Sequence, residues 1–440
     1  MTGEGGSTAE AERVEVEAGE ADEPARTDLA RRRGRDLSWT LFGKLAATGA
    51  NSLLVLALAV KDLMDAATYG LFVATIGAQL ALSRLILLGV DQGTIRLYTL
   101  DDLKRRPELV LSAGLASSLV LSIPVLLVGF LAAPFEPRGW STTVVLSVAL
   151  GAVGVALFDY GVASRLARLR YRRAAIVQAS MPVVRFAGTL SAVLFFPSRP
   201  EIAFGVYAGT ALLFGAALSA RTAHRTAEWP DGALIRRLLR YSKWLGAADV
   251  SMILCINAGL FLLRGLDLDV EAGVFGFAQQ VALGYFAVFL AFYQTILPRA
   301  ARLGSVREVP AFVGRWTKIG IGLALACAVS APVLAWILDL FMESRDLEPF
   351  HAPFYLMAGF VLVLIVEAPL SVACQYLLLP QLPVLNLALR LVLVTGLGYG
   401  LVPRYGAVGA GVAQVVGSVA SMLVLASLLL VVVKRRLKEA

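Results

Sequence analysis

Long apolar runs, separated by short polar segments, make up most of this sequence. Two of them, Leu109 to Ala133 and Gly406 to Val433, contain no charged residue. A helix needs about 20 apolar residues to cross a bilayer, so each run is long enough to span one. The whole pattern predicts twelve spans, at residues 38–60, 70–95, 109–133, 141–164, 174–196, 201–220, 244–263, 271–297, 319–341, 352–378, 383–402 and 406–433.

The composition agrees with this pattern. The chain is 58% hydrophobic with a mean hydropathy of +0.73, whereas soluble domains are about 45–50% apolar. The sequence therefore predicts an all-α polytopic membrane protein. Residues 1–36 differ, because they hold ten acidic residues and no apolar run. Such a segment cannot bury enough apolar surface to fold, so we expect a disordered cytoplasmic tail.

Lysine and arginine predict the orientation of the chain in the membrane. With the N-terminus inside, the inner segments hold 30 of these residues and the outer loops hold six. Positive residues concentrate in cytoplasmic loops, so both termini are expected to be cytoplasmic, in the cell (inner) membrane. The net charge of +8 is then explained by topology, and no nucleic-acid partner is needed.

A short hairpin motif occurs twice, half a chain apart. The motif DAATYGLF covers Asp65 to Phe72, and DVEAGVFG covers Asp269 to Gly276; their glycines, Gly70 and Gly273, are 203 residues apart. The first motif joins spans 1 and 2 and the second joins spans 7 and 8. We therefore predict two six-helix lobes, related as a parallel repeat around a central cleft.

The lobes are expected at residues 37–220 and 244–440, joined by a basic cytoplasmic linker at 221–243. Within the linker, PDGALIRRLLRY mixes Leu and Ile with Arg at helical spacing. This pattern is typical of an amphipathic helix that lies on the lipids of the inner leaflet. A plain solvated connector is the alternative.

Ionisable side chains within spans are costly, so each is a candidate for function. Arg185 and Arg390 are 205 residues apart, which puts them at similar places in the two lobes. They could face one another across the cleft and bind an anionic headgroup, because Arg grips phosphate bidentately. The other candidate substrate-binding residues are Lys44, Asn51, Arg84, Gln178, Gln279 and Asn386.

Ion pairing within the protein is the alternative for these cations. Arg185 could pair with Asp159, Arg84 with Asp91, and Arg390 with Glu367. Gln279 could likewise bridge helices instead of contacting sugar hydroxyls.

Glu367 and Asp249 are candidate ion-coupling residues, with a counter-ion role as their alternative. No metal or cofactor site is predicted, because the three cysteines lie far apart and neither histidine has a Cys or second His nearby. The sequence also lacks a phosphate-binding loop of the G-x-x-x-x-G-K-[ST] type. We therefore expect transport driven by an ion gradient or by the membrane potential.

Three segments resemble the polysaccharide-biosynthesis flippases of the Wzx type. They are WTLFGKLAATGANSLLVLALAVKDLMDAATYGLFV, LLGVDQGTIR and LVPRYGAVGAGVAQVVGSVAS, and the resemblance extends over nearly all of residues 37–433. That family shares a superfamily with multidrug exporters and lipid II flippases. The resemblance implies a polyprenyl-diphosphate-linked oligosaccharide as substrate, with glycan polymerases or ligases as candidate partners.

The sequence leaves two other functions to compare with a flippase. A multidrug exporter for cationic drugs should carry unpaired acids in its first and its seventh or eighth spans, but here span 1 offers Lys44 and only Asp249 fits. A membrane glycan polymerase or ligase needs a catalytic site in a large outer loop, and the longest outer loop, Met342 to His351, is short. The sequence therefore favours a flippase over an enzyme. The count of twelve also disfavours a lipid II flippase with fourteen helices.

Overall fold

The structure is a computed structural model that describes residues 49–59, 63–98, 107–135, 140–224, 230–300, 305–342, 347–377 and 381–439, with a few single positions elsewhere. The predicted tail at 1–36 lies outside these residues. Every regular element in the described ranges is a helix, as the hydropathy pattern predicts. The helices before the last one are α1 Gly49–Ala59, α2 Ala66–Leu87, α3 Val90–Leu97, α4 Pro107–Ala132, α5 Thr142–Ala167, α6 Tyr171–Phe195, α7 Pro200–Ala223, α8 Gly232–Gly265, α9 Asp269–Ala300, α10 Val309–Phe341 and α11 His351–Tyr376.

The last helical stretch, Gln381–Glu439, contains two helices. Its 59 residues would measure about 88 Å as one straight helix, far more than the roughly 30 Å of a bilayer core. Gly406 breaks it with φ 51° and ψ −131°, so residues 381–405 form α12 and residues 407–439 form α13. The Glu271 carboxylate accepts a hydrogen bond from the Ala407 amide at 2.8 Å and caps α13.

The described part of the chain confirms an all-helical membrane bundle with about ten to twelve spans. Ten helical stretches there are long and apolar enough to cross a membrane. One of the ten is the double stretch α12–α13, and the described part of the first span, α1, is too short to count among them. The chain is a multi-pass membrane protein.

The second span ends earlier than the sequence predicts. Helix α2 stops at Leu87 because Leu88 and Gly89 take positive φ values of 43° and 71°. Such a conformation is uncommon for leucine. The break turns the chain, and the short helix α3 follows in a new direction.

The linker also differs from the sequence prediction. Asp231 caps a single 34-residue helix, α8, that runs from Gly232 through the predicted linker and the seventh span. Leu238 is fully buried and packs with Ile86, Val110 and their neighbours. The second part of the predicted linker is therefore helical, as its pattern indicates, and it continues directly into the seventh span. Its side chains Leu234, Ile235 and Leu239 pack against the same apolar cluster of the N-terminal half.

The helices form two halves, α1–α7 and α8–α13, that meet along few elements. Helix α2 packs against α8 and α9, and α3 packs against α8. We call the end of the molecule with the α1–α2 and α8–α9 turns the hairpin end, and the end where α2 leads into α3 the basic end. Tyr69 of α2 and Phe277 of α9 are fully buried where the halves meet, and their ring centroids are 6.5 Å apart in an edge contact.

Candidate functional site

A charged cluster lies near the basic end, where the two halves meet. Arg84 of α2 contacts Asp159 of α5 at 3.0 Å and Asp91 of α3 at 3.8 Å. The break at Leu88 and Gly89 turns α3 so that Asp91 can approach Arg84. The side chains of Arg84 and Asp159 remain 26% and 27% exposed, so the protein covers the pair only in part.

The other half contributes Asp249 to this cluster. Its carboxylate accepts a hydrogen bond from Gln92 Nε2 of α3 at 2.8 Å, which joins α8 to the N-terminal half. Asp249 is also close enough to Arg84, Asp91 and Asp159 for electrostatic interaction. We call these five residues the Arg84 cluster. One guanidinium faces three carboxylates, so Arg84 is not a free cation.

Arg185 has no acidic partner within ion-pair distance among the described residues. It lies on α6, is 2% exposed, and its Cζ is 3.9 Å from the ring centroid of Tyr207 on α7. Its Nε and Nη2 atoms are buried without a hydrogen-bond partner. Asp159, the partner that the sequence suggested as an alternative, forms its ion pair with Arg84 and interacts with Arg185 only at longer range. A buried charge without a partner is costly, so Arg185 is the cation best placed to take an anionic group.

Arg390 is neutralised within its own half. It is fully buried, forms an ion pair with Glu367 of α11, and donates from Nε to Ser421 Oγ of α13 at 3.0 Å. Asn386 donates to the second oxygen of Glu367 at 2.8 Å. The structure thus shows the pairing alternative for Arg390, because Glu367 holds its guanidinium inside the C-terminal half.

The two arginines lie on equivalent helices, the fifth and eleventh spans, as their spacing predicts. Helices α5 and α11 are also equivalent, because they start at Thr142 and His351, 209 residues apart. Asp159 of α5 therefore lies one residue from the position equivalent to Glu367. Glu367 pairs with Arg390, whereas Asp159 pairs with Arg84 of α2. The two arginines differ because the equivalent acids pair with different residues.

The remaining predicted residues are dispersed. Asn51 is half-buried on α1 and its Oδ1 has no hydrogen-bond partner, while Lys44 lies outside the described residues. Gln178 is half-buried on α6. Gln279 is buried and donates to Asn257 Oδ1 at 3.0 Å, so it bridges α9 and α8.

Sequence reasoning missed several partners. Gln92, Tyr207, Ser421 and Asn257 each contact a predicted residue from another helix. Gln92 lies in the segment LLGVDQGTIR, but its spacing from Asp249, 157 residues away, gives no signal. The other three have no local pattern that would distinguish them from ordinary span residues.

An apolar crevice of about 430 Å³ lies apart from these charges, between α10, α11 and α13. Its lining is almost entirely aliphatic, with Thr317 as its polar member. It contains no ionisable group and therefore offers no chemistry of its own. The Arg84 cluster and Arg185 remain the candidate site.

The fold is similar to that of solved membrane transporters. An inward-facing multidrug resistance MATE family transporter of the MOP superfamily aligns with a TM-score of 0.61 at 16% identity, over 89% of this chain and 95% of the other. The MATE multidrug transporter DinF-BH in complex with R6G aligns with a TM-score of 0.61 at 16% identity, over 90% and 94%.

A flippase has a similar fold as well. Lipid II flippase MurJ, in an inward closed conformation, aligns with a TM-score of 0.61 at 9% identity, over 89% of this chain and 86% of the other. No protein-family model and no curated protein matches the sequence. At these identities the likeness establishes the fold, which this chain shares with the transporters and the flippase.

Proposed function

We propose that this chain is a flippase that moves a polyprenyl-diphosphate-linked oligosaccharide from the cytoplasmic to the outer leaflet. The two halves would expose the substrate site to each side of the membrane in turn, as parallel-repeat transporters do. The resemblance of three segments to Wzx-type flippases supports this substrate class. The shared fold with a lipid II flippase, a protein that handles a lipid-linked substrate, supports the mechanism.

The observation that carries the proposal is the unpartnered guanidinium of Arg185. A diphosphate offers the paired oxygens that a guanidinium fork binds best. The Tyr207 ring beneath the guanidinium fixes its plane, while Nε and Nη2 keep unused donors. Arg84 and Arg390 are committed to acids, so they leave Arg185 as the described cation that is ready for an anion.

We assign ion coupling to Asp249 in preference to Glu367. Asp249 bridges the two halves and lies in a cluster that the protein covers only in part. An ion bound there can bias the movement of one half against the other. Glu367 is buried at 4% exposure and held by Arg390 and Asn386, which is the environment of a fixed counter-ion.

The orientation follows from the distribution of charge. Inner segments hold 30 Lys and Arg residues against six in outer loops, so we place the basic end and both termini in the cytoplasm. The site would then receive substrate on the side where nucleotide-sugar chemistry builds lipid-linked saccharides. Glycan polymerases or ligases would act on the product at the outer leaflet.

The test is to delete the gene and determine which membrane face the lipid-linked saccharides occupy. We expect completed units to accumulate facing the cytoplasm. Re-expressed Arg185→Ala should flip them roughly 10- to 100-fold more slowly, the loss expected for hydrogen bonds to a charged group. Arg185→Lys should recover part of the rate, because it keeps charge without the fork. Arg199→Ala, which removes an exposed arginine of the same half, should act like wild type.

A multidrug exporter is the second candidate, and the Arg84 cluster favours it. Three carboxylates around one guanidinium suit a cationic drug. In that case the deletion strain would have unchanged lipid-linked saccharides but higher sensitivity to cationic drugs. Asp249→Asn would reproduce the sensitivity, whereas Arg185→Ala would not. This result would overturn the flippase proposal.

A further inference from the structure

Glycines bring the backbones of the two halves into contact at the hairpin end. A Cβ added at Gly70 of α2 would lie 2.6 Å from the amide nitrogen of Gly273 of α9. A Cβ at Gly273 would lie 2.1 Å from the carbonyl oxygen of Ala66. These are the two glycines that align in the repeated hairpin motif. We call Ala66, Gly70 and Gly273 the hairpin seam.

A second contact of the same kind lies at the basic end. A Cβ added at Gly246 of α8 would lie 2.2 Å from the carbonyl carbon of Leu88, and one at Gly93 would lie 2.0 Å from Ser242 Oγ. The hydrogen bond from Gln92 to Asp249 crosses between the same helices. We call Leu88, Gly93, Ser242 and Gly246 the basic seam.

We propose that these two seams are the gates of the molecule, one at each face of the membrane. Helix α2 carries its half of the hairpin seam at its first turn, and the basic seam begins directly after its last residue. The 18 residues from Gly70 to Leu88 correspond to about 27 Å of helix, close to the thickness of a bilayer core. One helix thus carries both gates. This proposal depends on the proposed function, because it requires that the hairpin end and the basic end open in turn.

Alanine at a seam glycine should destabilise the closed form of one gate and leave the other gate unchanged. Ordinary contact begins at 3.4 Å, so a methyl group at Gly70 or Gly246 cannot be accommodated while its seam is closed. The neighbouring atoms are backbone and cannot rotate away. Overpacking of this kind is relieved when the seam separates, so the variant should favour opening at that end.

The experiment measures maleimide labelling rates of reporter cysteines in purified protein. Val73→Cys reports on the hairpin end and Ser242→Cys on the basic end, since both positions are buried in the closed seams. Each reporter is combined with Gly70→Ala or Gly246→Ala. Gly154→Ala is the matched control, because its Cβ would lie 2.4 Å from the amide nitrogen of Leu212 within the N-terminal half. Alanine first replaces the native cysteines, Cys255, Cys327 and Cys374.

We expect Gly70→Ala to raise labelling at Val73→Cys about fivefold or more without raising it at Ser242→Cys. Gly246→Ala should do the opposite, and Gly154→Ala should leave the ratio of the two rates unchanged. Equal effects at both reporters, no effect at either, or a ratio shifted by Gly154→Ala would overturn the proposal.

A second variant tests the basic seam without a steric clash. Gln92 is exposed, so Gln92→Ala should fold while removing the hydrogen bond to Asp249. It should raise labelling at Ser242→Cys and leave Val73→Cys unchanged; an unchanged rate at Ser242→Cys counts against the proposal. Labelling needs no substrate, so the two proposals can fail separately. If each glycine variant changes labelling at its own reporter only, but the protein does not flip saccharides, the proposed substrate is wrong and the gates stand. If the protein flips saccharides, but the variants change both reporters equally, the gates are wrong and the proposed substrate stands.

Discussion

Arg185 and Arg390 occupy equivalent helices, but we assign Arg185 to anion binding and Arg390 to an internal ion pair. Replacing each of them by methionine tests this assignment. Arg390→Met should destabilise the protein strongly, and Arg185→Met should not. Methionine keeps much of the length of the side chain and removes the charge, so the comparison isolates the electrostatic role. Both side chains are almost fully buried, so exposure does not separate them.

The expected magnitudes follow from the partners. Arg390→Met leaves the Glu367 carboxylate buried without its cation, and breaking a buried pair in this way costs about 3–5 kcal/mol. Arg185→Met leaves no acid without a partner. It removes two unsatisfied donors, each of which costs about 1–3 kcal/mol when buried, and it loses a cation–π contact of about 2 kcal/mol or less. The net change at Arg185 is therefore near zero or stabilising.

The assay is thermal unfolding in detergent, followed by intrinsic fluorescence. The double variant Arg390→Met with Glu367→Met should recover most of the stability lost in Arg390→Met, because apolar residues of similar volume can replace a buried pair. A loss in Arg185→Met as large as that in Arg390→Met would refute the reasoning. It would mean that Arg185 has a partner, and its role as an anion site would fall with it.

Three further changes have defined outcomes in the same unfolding assay. Asp159→Asn should cost about 1 kcal/mol, because its pair with Arg84 is partly exposed. Gly406→Ala should cost about 1–3 kcal/mol, because φ is 51° there and a Cβ would lie 2.5 Å from a carboxylate oxygen. Asp65→Ala should cost about 1 kcal/mol at neutral pH, because Asp65 caps α2. Partial burial raises the pKa of Asp65, but hydrogen bonds from Thr68 lower it below its ordinary value. The contribution of Asp65 should therefore be full above about pH 4 and be lost as pH falls through its folded pKa.

Each of these changes has its own control. Gly396 is a helical site with no atom within 4 Å of an added Cβ, so Gly396→Ala should be neutral or stabilise by up to about 1 kcal/mol. A loss equal to that of Gly406→Ala would contradict the argument from backbone conformation. Asp65→Ala should behave like wild type below the folded pKa of Asp65; a constant difference from pH 7 to pH 3 would contradict the assigned cap. A loss above about 3 kcal/mol for Asp159→Asn would mean that the pair behaves as a fully buried ion pair.

The spans could be predicted because burial in lipid imposes a long apolar run on every helix. Their ends could not be predicted equally well. The end of α2 depends on left-handed backbone at Leu88 and Gly89, and leucine carries no signal for that conformation. The start of α8 depends on apolar surface supplied by α2, α3 and α4, which only the folded chain brings together.

The charged residues of the site were found from sequence, but their partners were only partly found. An ionisable residue within an apolar run is visible at once. Its partner, however, is chosen by helix packing, and Asp159 pairs with Arg84 on α2 instead of Arg185 on α6. For Arg390, the sequence left open whether it binds substrate or pairs with Glu367, as it does in the structure. The spacing of residues within one helix does not show which face of that helix packs against its neighbour.

The two halves of the repeat differ around their equivalent arginines, and this difference allows one half to bind an anion while the other is cross-linked. Both halves place an arginine on their fifth helix, but the C-terminal half adds Glu367, Asn386 and Ser421 around it. That half thereby gains a cross-linked set of helices, α11, α12 and α13, and loses its free cation. In the N-terminal half Arg185 packs on Tyr207, has no ion pair among the described residues, and keeps two donor atoms without a hydrogen bond. We therefore expect the N-terminal half to bind the anionic group while the C-terminal half moves as the more rigid body.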